Sequence, residues 1–384
     1  MNKTRKRIHP TLCITHRCNL DCIYCYQNHD SNDMSFDTAK KCIDNIFENI
    51  PNEYDDIEIS FIGGEPLLKF ELIKSVVEYT NQKYADYNYF FFASTNGTVL
   101  TEEMKEWFST YKDIFTLGLS FDGIKKVQDY NRSNSFDDID VSFFINNWPK
   151  QGIKMTLSEF SLEYLAESIK YLHSIGINNI IGVNLFEGNF DWNQEKYIQL
   201  LVPQLKELVD FYVENDDLHL NQMFNKKIDI LAYETRVKQK YCGIGSGVNF
   251  YDIDGIVRPC AFCTPMTFDS ITLSEIEKTD FHNPDNFIDI DCFSSCFIQP
   301  ICSSCSGNNY LKNNSFKKFD KSKCRIQKLI VLFTADLIVK RIIKSPEKYD
   351  DSFKSRILKS AKTIKELFLP EFNTYFIQKE NAKI

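Results

Sequence analysis

Cys18-Asn19-Leu20-Asp21-Cys22-Ile23-Tyr24-Cys25 places three thiols at C-x3-C-x2-C spacing, just after the apolar run Thr11–Thr15. Gaps this short let one tight loop point three sulfurs at a single centre. Three ligands on a four-position metal leave one position open. Structural zinc normally closes its fourth position, so the spacing points to chemistry at the metal. Thiolates also suit iron–sulfur clusters. The bland alternative is three unligated or zinc-binding cysteines.

Outward from this loop the chain alternates between short apolar, β-rich runs and amphipathic helical patterns. The runs are Thr11–Thr15, Ile57–Ile62, Tyr89–Ser94, Phe115–Phe121, Ile153–Leu157 and Asn179–Leu185. Helical periodicity falls between them, at Asp37–Ile50, Leu67–Tyr84, Thr101–Tyr111, Ile139–Trp148 and Ser161–Ile175. Such alternation predicts βαβ units and a parallel sheet, with the chemistry at the C-terminal ends of the strands. Six units are too few for a closed eight-fold barrel. The expected fold is therefore α/β, a partial (β/α)6 barrel of the TIM type.

Composition sets the outer limits. The 384 residues carry a formal charge of −8, with 43% hydrophobic and 14% aromatic content. A wholly disordered chain is excluded, and an acidic total argues against a general nucleic-acid binder. No apolar run follows the basic cluster Lys3, Arg5, Lys6 and Arg7, which reads as a solvated tail rather than a secretory signal. No stretch approaches the roughly 18 apolar residues that cross a bilayer. A cytoplasmic protein without a membrane partner is expected.

Thirteen cysteines without an export signal point to metal or catalysis rather than disulfides. Five lie in the first 42 residues and eight after residue 241. Cys13 and Cys42, inside a strand and a helix, read as small apolar core residues. The six histidines show no ligand spacing, although His16 lies near the cysteine loop. Residues 191–240 read as a helical bridge. The cysteine-dense part, 241–325, reads as loops, and 326–384 returns to long helical patterns such as Ile326–Ile343 and Ser352–Leu369.

Other strand ends carry polar turns in a telling order. Gly63-Gly64-Glu65-Pro66 ends the second strand; its glycines permit close backbone approach and Glu65 supplies an acceptor. Ser94-Thr95-Asn96-Gly97 ends the third, Ser120-Phe121-Asp122-Gly123 the fourth, and Ser158 the fifth. Single Asn-Gly or Asp-Gly turns are common at such junctions. Their succession behind C-x3-C-x2-C closely resembles the radical S-adenosylmethionine (SAM) superfamily, over about residues 9–190. The resemblance implies a [4Fe–4S] cluster on Cys18, Cys22 and Cys25, with the open iron chelated by the amino and carboxylate groups of SAM. Reduction would cleave SAM to a 5′-deoxyadenosyl radical that abstracts a substrate hydrogen. It also implies Tyr24 near the adenine, Gly63, Gly64 and Glu65 at the SAM amino group, and Asn96, Ser120 and Ser158 as further SAM contacts. Asp122 would line the substrate side. The family often has a His-Asp pair next; here Gln128 stands at the histidine position, before Asp129 and Arg132.

The second cysteine region reads Cys242-x17-Cys260-x2-Cys263 and Cys292-x3-Cys296-x5-Cys302-x2-Cys305-x18-Cys324. Eight thiols suffice for two four-ligand centres, and counting alone does not separate zinc from iron–sulfur. Phe250–Asp254 followed by Gly255-Ile256-Val257-Arg258-Pro259-Cys260 reads as a β-hairpin. The region resembles the SPASM extension, which implies two auxiliary [4Fe–4S] clusters, three in all. Family topology gives Cys242, Cys260 and Cys305 to the nearer one, with either Cys263 or an open iron that receives substrate or water at the fourth position, and Cys292, Cys296, Cys302 and Cys324 to the outer one. The spacing C-x3-C-x5-C-x2-C departs from the commonest family pattern, C-x2-C-x5-C-x3-C, and the usual cysteine shortly after the first is missing. The resemblance organises the chain as a radical SAM barrel (1–190), helical bridge (191–240), SPASM domain (241–325) and helical extension (326–384).

These resemblances imply an oxidoreductase acting on a peptide or protein side chain. The favoured reaction is a carbon–carbon, ether or thioether crosslink in a ribosomally made precursor peptide, as in peptide (RiPP) maturation. Formylglycine formation in a sulfatase, peptide epimerisation and, outside enzymes, a zinc-rich interaction scaffold are the alternatives. Implied partners are the precursor peptide and an electron donor such as flavodoxin or ferredoxin. With the first strand near residue 9, a separate leader-binding protein, or the barrel and C-terminal helices, would hold the leader.

Overall fold

Residues 6–377, apart from 52–53, 180, 234–235 and 247–248, are described by the computed structural model. Lys3 and Arg5 of the basic cluster, and Ile180 of one expected strand, lie outside the described residues. The chain forms two compact units that interleave along the sequence. One holds residues through Phe121, Gln128–Lys154 and Gly243–Asn286; the other holds Asp122–Val127, Met155–Cys242 and Phe287 onward.

The first unit is built on a sheet. Strands β1 (Arg7–Ile8), β2 (Thr11–Thr15), β3 (Asp56–Gly63), β4 (Tyr89–Thr95) and β5 (Phe115–Leu119) pair in parallel, in the order β5-β4-β3-β2, with β1 beside β3. In β3, buried Ile57, Ile59 and Phe61 alternate with Glu58 and Ser60, the period-two pattern of a pleated strand. Their side chains meet those of neighbouring strands: Phe61, Phe91 and Phe115 have ring centroids 5.8–6.0 Å apart and are almost wholly buried. Each such ring contributes about 1.5–3 kcal/mol by leaving water. Helices α1 (Phe36–Glu48), α2 (Phe70–Lys83) and α3 (Glu102–Tyr111) connect these strands, followed by α4 (Lys125–Asn131) and α5 (Val141–Asn147). Ser35 and Thr101 cap α1 and α3 by accepting from Thr38 N and Met104 N.

Strand β6 (Ile153–Leu157) pairs with β7 (Ile181–Leu185). The expected strands are thus all present to within about two residues. The second unit continues with α6 (Leu165–Ser174) and α7 (Glu195–Glu214). Helix α7 covers less than half of the helical bridge expected over 191–240. It stops at Asn215-Asp216-Asp217, residue types whose side chains compete for backbone groups; Asn221 does so here, its Oδ1 accepting from Met223 N at 2.9 Å.

Returning to the first unit, β8 (Phe250–Tyr251) adds to the edge of β2 in parallel and turns into antiparallel β9 (Val257–Arg258). This is the expected hairpin, with Gly255 at φ +80° in its turn. The cysteine-dense part is less loop-like than expected, because short helices α8 (Ser270–Glu277), α9 (Ile290–Ser295) and α10 (Ser306–Asn313) punctuate it. Two long helices, α11 (Cys324–Lys344) and α12 (Asp351–Ile377), complete the second unit. Buried Arg341 of α11 donates to Tyr212 O and Asn215 O, so a cation satisfies the orphan carbonyls at the end of α7. Among the described residues no helix is long and apolar enough to cross a membrane.

Candidate functional site

The three-thiol loop leaves the C-terminal end of β2 and is braced from several sides. Cys25 N donates to Cys22 O at 2.9 Å, closing a turn that draws these two residues together. Ile23 N donates to Asn131 O and Asp21 N to Ser133 Oγ, fixing the loop to the turn after α4. That turn needs left-handed backbone at Ser133 and Asn134, both at φ 56°. Arg132, buried beside it, places its guanidinium 5.4 Å from the Tyr24 ring centroid. Cys25 Sγ lies 3.4 Å from His29 Nε2, while His29 Nδ1 contacts His16 O at 3.0 Å. Burial pushes the Cys25 thiol up, but His29 and nearby cations outweigh it and hold the thiol below its usual value. Cys18 is raised by burial.

Gly63 and Gly64 have a steric purpose that spacing alone does not disclose. A Cβ on Gly63 would sit 2.1 Å from Thr15 O, and one on Gly64 2.3 Å from Arg17 O and 2.9 Å from Cys18 Cβ. The glycines let the end of β3 press against the start of the cysteine loop, where Gly64 N and Glu65 N donate to Thr15 O and Arg17 O. Glu65 is 1% exposed, and its carboxylate accepts from Thr95 Oγ1 (2.8 Å), Leu67 N (3.0 Å) and Asn96 N (2.7 Å). Burial pushes this carboxyl up to about 7 in spite of those donors. Three of its roughly four acceptor positions are filled.

Asn96 serves the loop from the next strand end: its Nδ2 donates to Asn19 Oδ1 at 2.9 Å and its Oδ1 accepts from Thr98 N. Ser120 N donates to Thr95 O, and the half-buried Ser120 hydroxyl has no hydrogen-bond partner among the described residues. Asp122 and Ser158 belong to the second unit. Asp122 is wholly buried, with Oδ1 accepting from Thr156 N at 2.9 Å. Ser158 Oγ accepts from Ser161 N, and Ser161 Oγ returns to Ser158 O. Gln128, at the position of the family histidine, is buried and donates to Ser135 Oγ.

Within the first unit the second cysteine region is tied directly to the loop. Tyr26, next to Cys25, stacks on Phe262 at 4.3 Å, and Asn28 N donates to Met266 O at 2.7 Å. His16 reaches Asp252 Oδ1 with Nε2 (2.9 Å) and Asp30 Oδ2 with Nδ1 (3.1 Å). His16 and Asp252 are both at most 2% exposed. Cys13 joins this buried group, packed against Phe250 and Met266 as a core residue. Both ring nitrogens of His16 are thus spent on carboxylates, which makes it a strut between loop and hairpin. Cys260 and Cys263 follow β9, where Cys263 lowers the Cys260 thiol by hydrogen bonding to it.

Cys242 and Cys305 lie in the other unit. There Cys242 Sγ is 3.5 Å from Ser306 Oγ, adjacent to Cys305. Cys292, Cys296, Cys302 and Cys324 line one cavity of about 150 Å³, which Cys305 also borders. Burial pushes the Cys302 thiol up to about 12, and Cys324, Cys296 and Cys292 add to the rise. Burial also raises the Cys292 and Cys324 thiols. Four thiols around one cavity are a donor set that a polynuclear iron centre would satisfy, since bound metal inverts the cost of ionising buried thiols. Carboxylates hold the thiol-bearing turns. Asp289 accepts from Cys292 N and Phe319 N, and Asp320 accepts from Ser322 N and Asn308 Nδ2. Cys324 begins the 21-residue α11, where the helix dipole favours a thiolate. Lys321 Nζ lies 2.6 Å from Cys292 Sγ. Neither carboxylate was singled out by spacing; each sits where an N-cap or turn acceptor is needed, which is the signal a sequence offers.

A three-thiol loop at the carboxyl end of a parallel strand, braced by a Gly-Gly-Glu turn, defines an α/β enzyme with chemistry at a metal centre. The chain belongs to the radical SAM superfamily, whose profile matches residues 12–201. Membership implies SAM and a [4Fe–4S] cluster as cofactors. An uncharacterised protein of Methanocaldococcus jannaschii, MJ0907, is 34% identical over 249 residues, 62% of this chain and 79% of its own. The antilisterial bacteriocin subtilosin biosynthesis protein AlbA of Bacillus subtilis is 24% identical over 264 residues. That match covers 66% of this chain but 55% of AlbA, so the chain spans little more than half of that relative. Native anSMEcpe with bound AdoMet and Kp18Cys peptide superposes with a TM-score of 0.66 at 17% identity, over 89% of this chain and 100% of that one. That likeness is one of fold.

Proposed function

We propose that this protein is a peptide-modifying radical SAM enzyme that oxidatively crosslinks a ribosomally made precursor peptide, with two auxiliary clusters receiving the electron left by hydrogen abstraction. The observation that carries the reading is the triple tether between the three-thiol loop and the hairpin bearing Cys260 and Cys263. A second thiol centre fixed to the first is what a net two-electron oxidation needs and an epimerase does not. A relative engaged in bacteriocin biosynthesis and a structural neighbour bound to a peptide support the substrate class.

When bound at Cys18, Cys22 and Cys25, the cluster supplies the electron that cleaves SAM to the hydrogen-abstracting radical. The protein's own residues bind and orient. Glu65 offers its remaining acceptor position to the SAM ammonium, and Ser120 its unpartnered hydroxyl to the ribose or carboxylate. Tyr24, held by Arg132, flanks the adenine. Asn96 and Ser158 would add further polar contacts to SAM, and Asp122 would line the substrate side. Cys242, Cys260, Cys263 and Cys305 would hold the nearer auxiliary cluster, and Cys292, Cys296, Cys302 and Cys324 the outer one. An external one-electron carrier of the ferredoxin or flavodoxin class would close the circuit.

Replacement of Cys18, Cys22 and Cys25 together by Ala is expected to abolish formation of 5′-deoxyadenosine from SAM while the auxiliary iron stays bound. Continued 5′-deoxyadenosine formation in that triple variant would overturn the assignment. Colourless protein that binds zinc in stoichiometric amount would favour the interaction scaffold instead.

A further inference from the structure

The cavity walled by Cys292, Cys296, Cys302 and Cys324 also takes in several lysines, and all but one have a carboxylate partner. Lys323 pairs with Glu187 at 2.6 Å and Lys328 with Glu371 at 2.8 Å; Lys321, outside the lining but beside Cys292, pairs with Asp289 at 2.9 Å. Lys226 lines the same cavity, and its ammonium has no hydrogen bond or ion pair among the described residues. The cavity's own acids are already spoken for, Glu187 by Lys323 and Asp320 by Lys312. Nor is Lys226 on a loose tail. Met223, Phe224 and Ile228 on either side are buried and fix the backbone. A half-buried cation without a carboxylate is costly unless something anionic faces it.

We infer that Lys226 is the counter-charge of the outer auxiliary cluster and raises that cluster's reduction potential. This rests on the reading that the four thiols hold such a cluster. Adding one electron to a centre already bearing four thiolates adds negative charge, and a fixed cation stabilises the reduced form more than the oxidised one. Lys226 is a positioning residue for charge; it touches neither SAM nor peptide. Its effect is to make the outer cluster more readily reduced than it would be without that charge.

The test is a redox titration of the reconstituted full-length protein with dithionite, followed by electron paramagnetic resonance, for wild type, K226M, K226R, C302S and C302A. The C302S variant identifies the outer cluster by the signal and iron that it loses. K226M is expected to shift that signal's reduced-to-oxidised ratio about tenfold toward oxidised at a fixed potential, which is about 59 mV for a one-electron couple. K226R is expected to stay near wild type, and the other two signals to stay put in both. If C302S and C302A, the second of which offers no ligand in place of the sulfur, both keep every signal and all their iron, the underlying reading fails. If the cluster is present and K226M leaves its potential unmoved, this inference fails alone. Should K226M lose the outer iron, K226Q with its iron retained gives the same comparison.

Discussion

Glu65 shows how a residue can be visible in sequence while its environment is not. Gly-Gly-Glu-Pro announces an acceptor at a strand end. That the carboxylate is fully buried, and already holds Thr95, Leu67 and Asn96, depends on residues up to 31 positions away. Burial raises its pKa from 4.5 to about 7. Between those values the folded chain keeps a proton that the unfolded chain has released. Its contribution is therefore complete below about pH 4.5 and is lost as pH rises through 7; a change of this size is worth about 3 kcal/mol. Glu65→Gln cannot titrate, so urea unfolding is expected to show wild type losing about 3 kcal/mol relative to the variant from pH 4.5 to about pH 8. A gap that does not vary with pH contradicts this. Ser120, Asp122 and Ser158 were equally legible as polar strand-end residues. Their surroundings differ in a way that spacing does not show: Ser120 is half-buried, whereas Asp122 and Ser158 are buried.

At the scale of elements, the long strands and helices were read from periodicity, because each spans enough residues for a period to show. Helix α4 and the short α8–α10, of six to eight residues, were missed, as two turns or fewer carry no clear pattern. The hairpin β8–β9 was legible from its glycine turn. Its seat on β2 was not, since parallel pairing of residues 11–12 with 250–251 leaves no local mark. His16 was noted only for lying near the cysteine loop, whereas it joins that loop to the hairpin through Asp252, 236 residues away. Removing one partner of such a buried pair typically costs about 3–5 kcal/mol. His16→Ala is expected to lower the urea midpoint accordingly, and Asp252→Asn added to it to recover part of the loss. A single-variant cost below about 1 kcal/mol, the range of surface pairs, would show that the strut carries little.

For the whole molecule, chain order and spatial order part company. Sequence reading divides the chain into successive segments, whereas the two compact units each draw on three separate stretches. Cys260 and Cys263 accordingly share a unit with Cys18, Cys22 and Cys25, while the thiols from Cys292 to Cys324 gather in the other. The cysteine count pointed to more than one group of thiols; which thiols stand together required the fold. The radical-initiating site and the auxiliary thiols are compatible with several outcomes on a peptide, and an electron sink is what favours oxidation. The measurement that tests this most directly is the high-resolution mass of a short peptide encoded beside this gene, co-expressed anaerobically with the enzyme. Loss of two hydrogens per modified site, with fragmentation locating a new bond, is the predicted result. An unchanged mass in water that gains deuterium in heavy water would mean epimerisation and contradict the oxidative account.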